Sequence, residues 1–247
     1  KVKVAVTASE LNDLRVIMND ATAVAAWRSA KLEQIRRTVR LTTEAMCATV
    51  LTTGSISWPK QLEGGRTETY SIDYGDPLTH TLGTKLAADS KISEVYDLLV
   101  TMEEKIQMAG VGGSAEFWCG KDVFKVLMDM AQGYLSTADQ RMIKVELGAG
   151  QISIGGYVIH VLNETYPDPS GTWVPKLNAK TLMAVAKDVP GTIWYCALDS
   201  ISANLAALPL HIVPIQSLDD SSITLIAQSK PVPARPPKAT CLCVAVA

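Results

Sequence analysis

The sequence predicts an α+β protein, and two observations support this fold class. Residues 21–51 contain no glycine or proline, and their apolar residues recur three and four positions apart, which is the pattern of one long amphipathic helix. After this segment, short stretches rich in β-branched and aromatic residues alternate with turns that contain glycine and proline. One long helix followed by many short strands and a few further helices fits the α+β class.

The long helix has a predicted buried face and predicted ends. The apolar face contains Leu32, Ile35, Val39, Thr42 and Met46. Asn19 or Asp20 can cap the first turn, and Gly54 suits the end. At ~1.5 Å per residue, the helix would be a rod about 45 Å long. Because such a rod exceeds the usual helix of a compact domain, we expect it to lie along a sheet or another subunit.

The middle of the chain predicts a hairpin and two helices. Residues 55–58 and 67–74 form the hairpin, in which tyrosine and isoleucine alternate with polar residues. A second helix is predicted to begin at Ser90, to carry one apolar face that extends to Ile106, and to stop at the glycines of 110–113. A short buried strand at 116–120 then leads into a third helix at 121–130.

The last part of the chain is predicted to be mainly β-structure. A proline- and glycine-rich turn is expected at 167–171. Pro231, Pro233, Pro236 and Pro237 predict an extended, polyproline-like crossing without a regular element before the last strand. The predicted strands are 151–162 with a break at Gly155-Gly156, 181–186, 193–197, 210–213, 223–227 and 240–246.

Composition limits the classes of function. The 247 residues are 19% charged and 47% hydrophobic, so we expect a partner to cover part of the apolar surface. A net charge of −2 excludes a strongly basic nucleic-acid binder, although not a local basic face.

The uncharged stretch 200–218 contains Pro209 and Pro214, so no transmembrane segment is predicted. Five scattered cysteines predict a reducing compartment. No apolar segment follows Lys1, so we expect no secretion signal and a sequence that continues upstream.

The sequence contains no recognisable catalytic or metal-binding motif. His80, His160 and His211 lie far apart, without the spacing of a zinc site. Cys241 and Cys243 would lie on one face of a strand, where two small apolar residues are the simpler interpretation than a metal site or a disulfide. The glycine-rich segments 110–113 and 148–150 lack the phosphate-binding patterns and predict turns. We therefore expect no enzyme, no metal and no cofactor.

Two further groups of residues are predicted to have ordinary structural roles. The tryptophans have no interleaved basic residues, which favours packing over base stacking. Glu103 and Glu104 would point about 100° apart on a helix, a poor geometry for a catalytic carboxylate pair, so both are predicted to be solvated. The five tryptophans are Trp27, Trp58, Trp118, Trp173 and Trp194.

One charge feature stands out on the long helix, whose first part is basic. Glu33 is the only acidic residue among its basic residues. Two interpretations remain open: a face turned toward a polyanion or an acidic neighbour, and an ordinary solvated helix face. The basic residues are Arg28, Lys31, Arg36, Arg37 and Arg40.

Several segments, in their order along the chain, carry a family resemblance. They are Leu11-Asn12-Asp13-Leu14-Arg15, Leu51-Thr52-Thr53-Gly54-Ser55-Ile56, Ile72-Asp73-Tyr74-Gly75, Trp118-Cys119-Gly120-Lys121-Asp122-Val123-Phe124 and Ala227-Gln228-Ser229-Lys230-Pro231-Val232-Pro233. In this order they resemble the major capsid proteins of lambda-type tailed phages, the phage capsid protein E family. The resemblance extends over nearly the whole chain.

The resemblance implies a Hong Kong 97-type capsid fold with a long spine helix, a peripheral-domain sheet and a central axial domain. Residues 1–20 would be the end of an extended loop or arm. Residues 21–133 would be the peripheral domain, with the spine helix at 21–51. The axial domain would occupy 134–220, and 221–247 would return to the peripheral domain.

The resemblance also implies a function. The chain would self-assemble into hexamers and pentamers of an icosahedral phage head that encloses double-stranded DNA. Its partners would be copies of itself, scaffold and portal proteins, a decoration protein in shells that carry one, and DNA held by non-specific contact, with no membrane. The chain would belong to the virion capsid and assemble in the host cytoplasm. The basic helix face would then meet DNA or another subunit, and strands 1–6 and 240–246 are candidate exposed edges that pair with neighbours.

Two alternatives remain. An encapsulin-like shell of the same fold would surround a protein cargo instead of DNA. A soluble α+β enzyme would need a site assembled from distant residues such as His160, Asp168 and His211.

Overall fold

The computed structural model describes residues 2–6, 9–10, 12–13, 20–61, 66–136, 142–168, 170–216 and 223–247. Three helices of sixteen residues or more lie in these ranges: α1 (Ala21–Thr53), α2 (Ile92–Met108) and α3 (Lys121–Ser136). The strands are β1 (Val2–Val6), β2 (Ser55–Gln61), β3 (Thr67–Asp73), β4 (Leu78–His80), β5 (Ala115–Cys119), β6 (Val145–Gly148), β7 (Gln151–Ile154), β8 (Tyr157–Val161), β9 (Thr165–Pro167), β10 (Trp173–Pro175), β11 (Thr181–Ala186), β12 (Thr192–Tyr195), β13 (His211–Gln216), β14 (Ile223–Gln228), β15 (Pro231–Ala234) and β16 (Thr240–Val244).

The predicted ends of the long helix are confirmed. Asp20 Oδ1 accepts hydrogen bonds from the backbone N–H groups of Thr22 at 2.9 Å and Ala23 at 3.2 Å, so Asp20 is the N-cap. Gly54 follows the last turn with φ +70°, a conformation that favours glycine, and its N–H donates to the Val50 carbonyl at 2.9 Å. The other predicted cap, Asn19, lies outside the described residues.

Threonine side chains satisfy their own hydrogen bonds inside α1. Thr38 Oγ1 donates to the Gln34 carbonyl at 3.1 Å, and Thr49 Oγ1 donates to the Ala45 carbonyl at 2.9 Å. This bond to the carbonyl one turn earlier lets a β-branched polar residue face an apolar environment within a helix. It explains how Thr42, which makes the same bond to Thr38, belongs to the predicted apolar face.

The chain forms two compact units by its internal contacts. The first contains Lys1–Glu44, Gln61–Glu68 and Ile193–Pro233. The second contains Ala45–Lys60, Thr69–Thr192 and Ala234–Ala247.

A seven-stranded mixed sheet is the centre of the second unit. Its strand order is β4-β16-β11-β5-β8-β7-β6, in which β16 pairs with β4 and β5 pairs with β8 in parallel. The other neighbouring strands of this sheet pair antiparallel. All six residues of β11 are buried, because apolar side chains cover both faces of the sheet at this strand.

Side-chain alternation separates these two buried faces. On one face, Phe117 and Ala184 pack with the apolar sides of α2 and α3, which include Leu99 and Leu127. On the opposite face, Met183 and Val185 pack with Leu177, Trp118 and Leu51 from the last turn of α1. A smaller cluster joins the same end of α1 to the β2–β3 hairpin through Met46, Val50 and Ile56.

The first unit contains most of α1 and two small sheets. Strand β14 is central in a three-stranded antiparallel sheet, with β1 on one side and β13 on the other. Strands β12 and β15 form a two-stranded ribbon. Helix α1 buries Ile35 completely, as its periodicity predicts.

One element contradicts the sequence-based expectation. Pro231 and Pro233 do not form an irregular crossing but belong to strand β15, and Pro237 begins a short 3₁₀ helix, Pro237–Ala239. Within the described residues β15 pairs only with β12. A strand with one partner needs N–H donors on one side only. Because successive N–H groups point to opposite sides of a strand, two prolines that are two positions apart both lack the N–H group on the same side.

The other strand and helix predictions are confirmed, with small shifts of their ends. Helix α3 continues six residues beyond the predicted end at Met130. The 151–162 segment becomes strands β7 and β8, separated by Gly155 and Gly156 with φ +59° and +94°. The predicted turn at 167–171 joins β9 to β10, although Pro169 lies outside the described residues.

Candidate functional site: the basic helix face and the exposed strand edges

The basic residues of α1 do not share one surface. Arg36, Arg37 and Arg40 lie about 100–200° around the helix from the buried Ile35, so they form the exposed side. We name these three residues the basic face. Arg28 is exposed but lies nearly on the Ile35 side, two turns earlier in the helix.

Lys31 is separated from the basic face by its contacts. Its ammonium group forms an ion pair with Glu10, and its side chain is only 17% exposed. The same ammonium lies 6.0 Å from the ring centre of Trp27, a cation–π distance. Lys31 is therefore compensated within the chain.

One carboxylate interrupts the basic face. Glu33 lies 3.6 Å from the Arg36 guanidinium and 3.8 Å from the Arg40 guanidinium. These side chains are at least half exposed, so each pair contributes little to stability. Glu33 thus places a negative charge beside two of the three arginines.

The histidines and Asp168 have ordinary structural contacts. The His160 ring packs on Trp118 with ring centres 5.1 Å apart, and His211 Nε2 lies 3.0 Å from Ser202 Oγ. Asp168 Oδ1 accepts hydrogen bonds from the Ser170 hydroxyl and from turn N–H groups, and the Ser170 hydrogen bond is the main reason that the Asp168 pKa is lowered. Burial, together with the nearby Lys105 charge, lowers the pKa of His80. No group of three or more potential metal ligands occurs among the described residues.

The paired cysteines of the last strand point into the core. Cys241 and Cys243 are buried and unbridged in β16, and Cys119 lies in the same cluster. Burial raises the pKa of Cys119 to about 12 and that of Cys241 to about 11. These thiols are therefore protonated at neutral pH and act as small apolar side chains, as the sequence predicts.

The last strand is not an exposed edge, which corrects one prediction. Strand β16 pairs with β11 on one side and β4 on the other, so its hydrogen-bonding groups are used within the chain. The hydrophobic pattern of residues 240–246 identifies a strand but not its position in a sheet. By contrast, β1 pairs only with β14 among the described strands, so it lies at a sheet edge.

Two tryptophans are exposed, which also differs from the prediction of ordinary packing. Trp173 on β10 is 62% exposed and Trp194 on β12 is 66% exposed. Both belong to two-stranded ribbons, which cannot cover both of their own faces. Near Trp194 in the chain, Ile201 and Leu205 are also largely exposed.

Helix α2 carries an acidic surface that the sequence-based reasoning missed. Glu94, Asp97 and Glu104 lie about 140–220° around α2 from the buried Leu99, so all three face away from the core. We name them the acidic face. The periodicity that identified the apolar side of α2 could also have identified this opposite side. Glu104 is exposed as predicted, but Glu103 is hydrogen-bonded to Tyr157 and to the Ala115 N–H instead of being solvated.

Comparison with known families identifies the chain. The model of the phage major capsid protein E family matches residues 1–244. The chain belongs to the phage major capsid protein E family. It is therefore a capsid protein, a structural component of the virion, as the order of segments in the sequence predicts.

One solved structure shows that the fold of the chain is shared with another protein. A protein of an Escherichia coli CFT073 prophage, described as a capsid protein, has the same fold with a TM-score of 0.65 and 16% sequence identity. The match covers 92% of this capsid protein and 71% of the prophage protein. A phage-related protein of Bordetella bronchiseptica RB50 matches with a TM-score of 0.46 and 12% identity over 98% of this chain and 73% of its own. None of the curated proteins compared with the chain matches it.

Family membership implies a structural, non-enzymatic role in the phage capsid. Among the described residues no helix is both long and apolar enough to cross a membrane. The candidate functional surfaces of this capsid protein are the basic face, the acidic face, the sheet edges and the exposed tryptophans.

Proposed function

We propose that this capsid protein assembles through hexamers and pentamers into an icosahedral phage head of the Hong Kong 97 type that encloses double-stranded DNA. The match of the family model to residues 1–244 is the observation that carries the proposal. The protein would assemble in the host cytoplasm with scaffold and portal proteins, and with a decoration protein where the shell has one.

Unpaired sheet edges support assembly with copies of the chain. Among the described strands, β1 and β13 end the three-stranded sheet, while β4 and β6 end the seven-stranded sheet. Open edges are available for hydrogen bonds with a neighbour. A shell subunit uses such surfaces in heterologous contacts, in which two different patches meet around a symmetry axis.

The exposed aromatic residues support the same proposal. Trp173 and Trp194 expose most of their rings, and tryptophan is enriched where protein surfaces meet. Low overall charge agrees with a chain that is covered by neighbours.

The domain assignment follows from the family resemblance. Residues 21–133 would form the peripheral domain with α1 as its spine, 134–220 the axial domain, and 221–247 the return to the peripheral domain. Chemical cross-links across the centre of isolated capsomers should therefore join residues within 134–220. Cross-links at the centre that join only residues from 21–133 would overturn this assignment.

The assembly proposal is tested by expressing the chain with the scaffold and portal proteins of its phage. Electron microscopy of the sedimented fraction should show closed shells of uniform size or rings of five and six subunits. A folded chain that stays monomeric at high concentration in the presence of these partners would contradict the proposal.

The content of the shell separates a phage head from an encapsulin-like compartment. Particles from infected cells should protect DNA from added nuclease. Particles that contain a protein cargo and no nucleic acid would favour the encapsulin-like alternative.

A further inference from the structure

The acidic face of α2 has no ion-pair partner in the described part of the chain. Glu94, Asp97 and Glu104 are exposed, and no salt bridge among the described residues includes them. Their neighbour Glu103 shows the contrast, because both of its oxygens accept hydrogen bonds within the fold. Three carboxylates on one side give this face a formal charge of −3.

The basic face of α1 carries the opposite charge to the acidic face of α2, and it also lies on the exposed side of a helix. Arg36, Arg37 and Arg40 together with Glu33 leave a formal charge of +2. Arg36 and Arg40 each form an ion pair with Glu33, at 3.6 Å and 3.8 Å, and a stronger partner can replace these exposed pairs.

The two faces also fit in length. The backbone positions of the three arginines span about 6 Å along the axis of α1, and those of the three acidic residues span about 15 Å along the axis of α2. Long, flexible arginine side chains can spread from a short segment to reach carboxylates over a longer one. Each guanidinium offers a planar fork of donors that matches a carboxylate.

We propose that the basic face of one copy, Arg36, Arg37 and Arg40, binds the acidic face of a neighbouring copy, Glu94, Asp97 and Glu104. This inference rests on the proposed function, since shell assembly is what brings the copies together. The two faces are different surfaces of the same chain, so their contact is heterologous and repeats from copy to copy around a closed shell.

A protein partner fits the basic face better than DNA does. The carboxylate of Glu33, 3.6 Å from Arg36 and 3.8 Å from Arg40, lowers the formal charge of the basic face to +2, which weakens binding to DNA because that binding depends on the number of phosphates neutralised. An acidic helix of a neighbouring copy presents separate carboxylates that the three arginines can reach around Glu33. Exposed ion pairs contribute little affinity individually, so their main effect would be to select the register between copies.

Charge exchange between the faces tests the proposal. The first variant carries Arg36→Glu, Arg37→Glu and Arg40→Glu, and the second carries Glu94→Lys, Asp97→Lys and Glu104→Lys. Each variant alone should need at least about tenfold more protein to assemble, because like charges then meet at every copy of the contact. The chain that carries all six substitutions should assemble within about threefold of the parent concentration, because the contact is restored with its charges exchanged.

A matched control separates the contact from a general effect of charge. Lys121→Glu, Lys125→Glu and Lys187→Glu change three exposed basic residues and the net charge by the same amount as the arginine variant. This control should assemble as the parent does, and circular dichroism should show that all variants are folded. Raising the ionic strength from about 0.1 M to about 1 M should weaken assembly of the parent and of the six-substitution chain.

The outcomes distinguish this inference from the proposed function. If the parent chain itself fails to assemble, the proposed function fails. If the parent assembles and the arginine variant assembles equally well, this inference alone is overturned. It is also overturned if assembly persists while DNA retention is lost, which assigns the basic face to DNA, or if the six-substitution chain does not regain assembly.

Discussion

The carboxylate of Glu103 joins helix α2 to two strands of the large sheet. Its Oε2 accepts a hydrogen bond from the Tyr157 hydroxyl at 2.8 Å, and its Oε1 accepts one from the Ala115 N–H at 2.8 Å. The Tyr157 ring also packs edge-on against Phe117, with ring centres 5.4 Å apart. Glu103 thus forms a polar link from α2 to Ala115 and Tyr157, which both belong to the main apolar cluster of the second unit.

Removal of this link should destabilise the second unit. We expect Glu103→Ala to lower the free energy of unfolding by about 2 kcal/mol, because two hydrogen bonds to a charged acceptor are lost. Glu103→Gln should cost less, since its amide can still accept from Ala115 and contact Tyr157. Urea unfolding of the unassembled chain measures both. An equal cost for the two variants would contradict this role of the carboxylate oxygens.

Alkaline pH should weaken the fold through Tyr157. Burial and the hydrogen bond to Glu103 raise the pKa of Tyr157 from 10.0 to about 12. The folded state therefore holds this proton more tightly than the unfolded state does. The resulting stability is fully present below pH 10 and is lost as the pH rises from about 10 to about 12.

Tyr157→Phe tests this pH dependence. Compared with the parent, the variant should lose less stability between pH 9 and pH 11, measured by urea unfolding at about one-unit intervals. Tyr166→Phe, in the β9–β10 hairpin, is the matched control and should follow the parent. Identical pH slopes for the parent and Tyr157→Phe would contradict the prediction.

Gly54 should not tolerate a side chain. A Cβ at this position would lie 1.8 Å from the Gly75 carbonyl oxygen, and its φ of +70° favours glycine. We expect Gly54→Ala to lower the free energy of unfolding by more than about 2 kcal/mol, because the helix end and the hairpin must separate. Thermal unfolding followed by circular dichroism measures the loss.

Gly133→Ala is the control for this prediction. Gly133 lies in α3, and a Cβ there would meet no atom within 4 Å. This substitution should stabilise the chain by about 0.5–1 kcal/mol through the helix preference of alanine. Comparable losses for the two glycine variants would show that close approach at Gly54 is not the cause.

Thiol labelling should divide the cysteines by burial. Cys196 is exposed and should react with a maleimide in the folded chain. Cys119, Cys241 and Cys243 are buried and should react only after unfolding, which peptide mass spectrometry can follow with time. Cys196→Ser should remove the fast reaction and leave only the slower labelling of the half-buried Cys47 in the folded chain. Rapid labelling of Cys241 in the folded chain would contradict its place between β4 and β11.

Local patterns were sufficient for most elements of this protein. The 3.6-residue period of α1, the cap at Asp20 and the glycine at position 54 all act over a few residues, so they could be read directly. The same is true of strands such as β11 and β16, whose β-branched and apolar residues occur in short runs. The order of short segments was also sufficient for the capsid family.

Strand neighbours and side-chain partners were decided only by the tertiary structure. Residues 240–246 look like an edge strand in sequence, yet β16 lies between β4 and β11, which are distant in the chain. Lys31 resembles the other basic residues of α1, but Glu10 and Trp27 remove it from the exposed face. Glu103 differs from Glu104 because α2 turns it toward Tyr157. Periodicity specifies which side of an element is buried, whereas its contacts depend on residues that folding brings together from far along the chain.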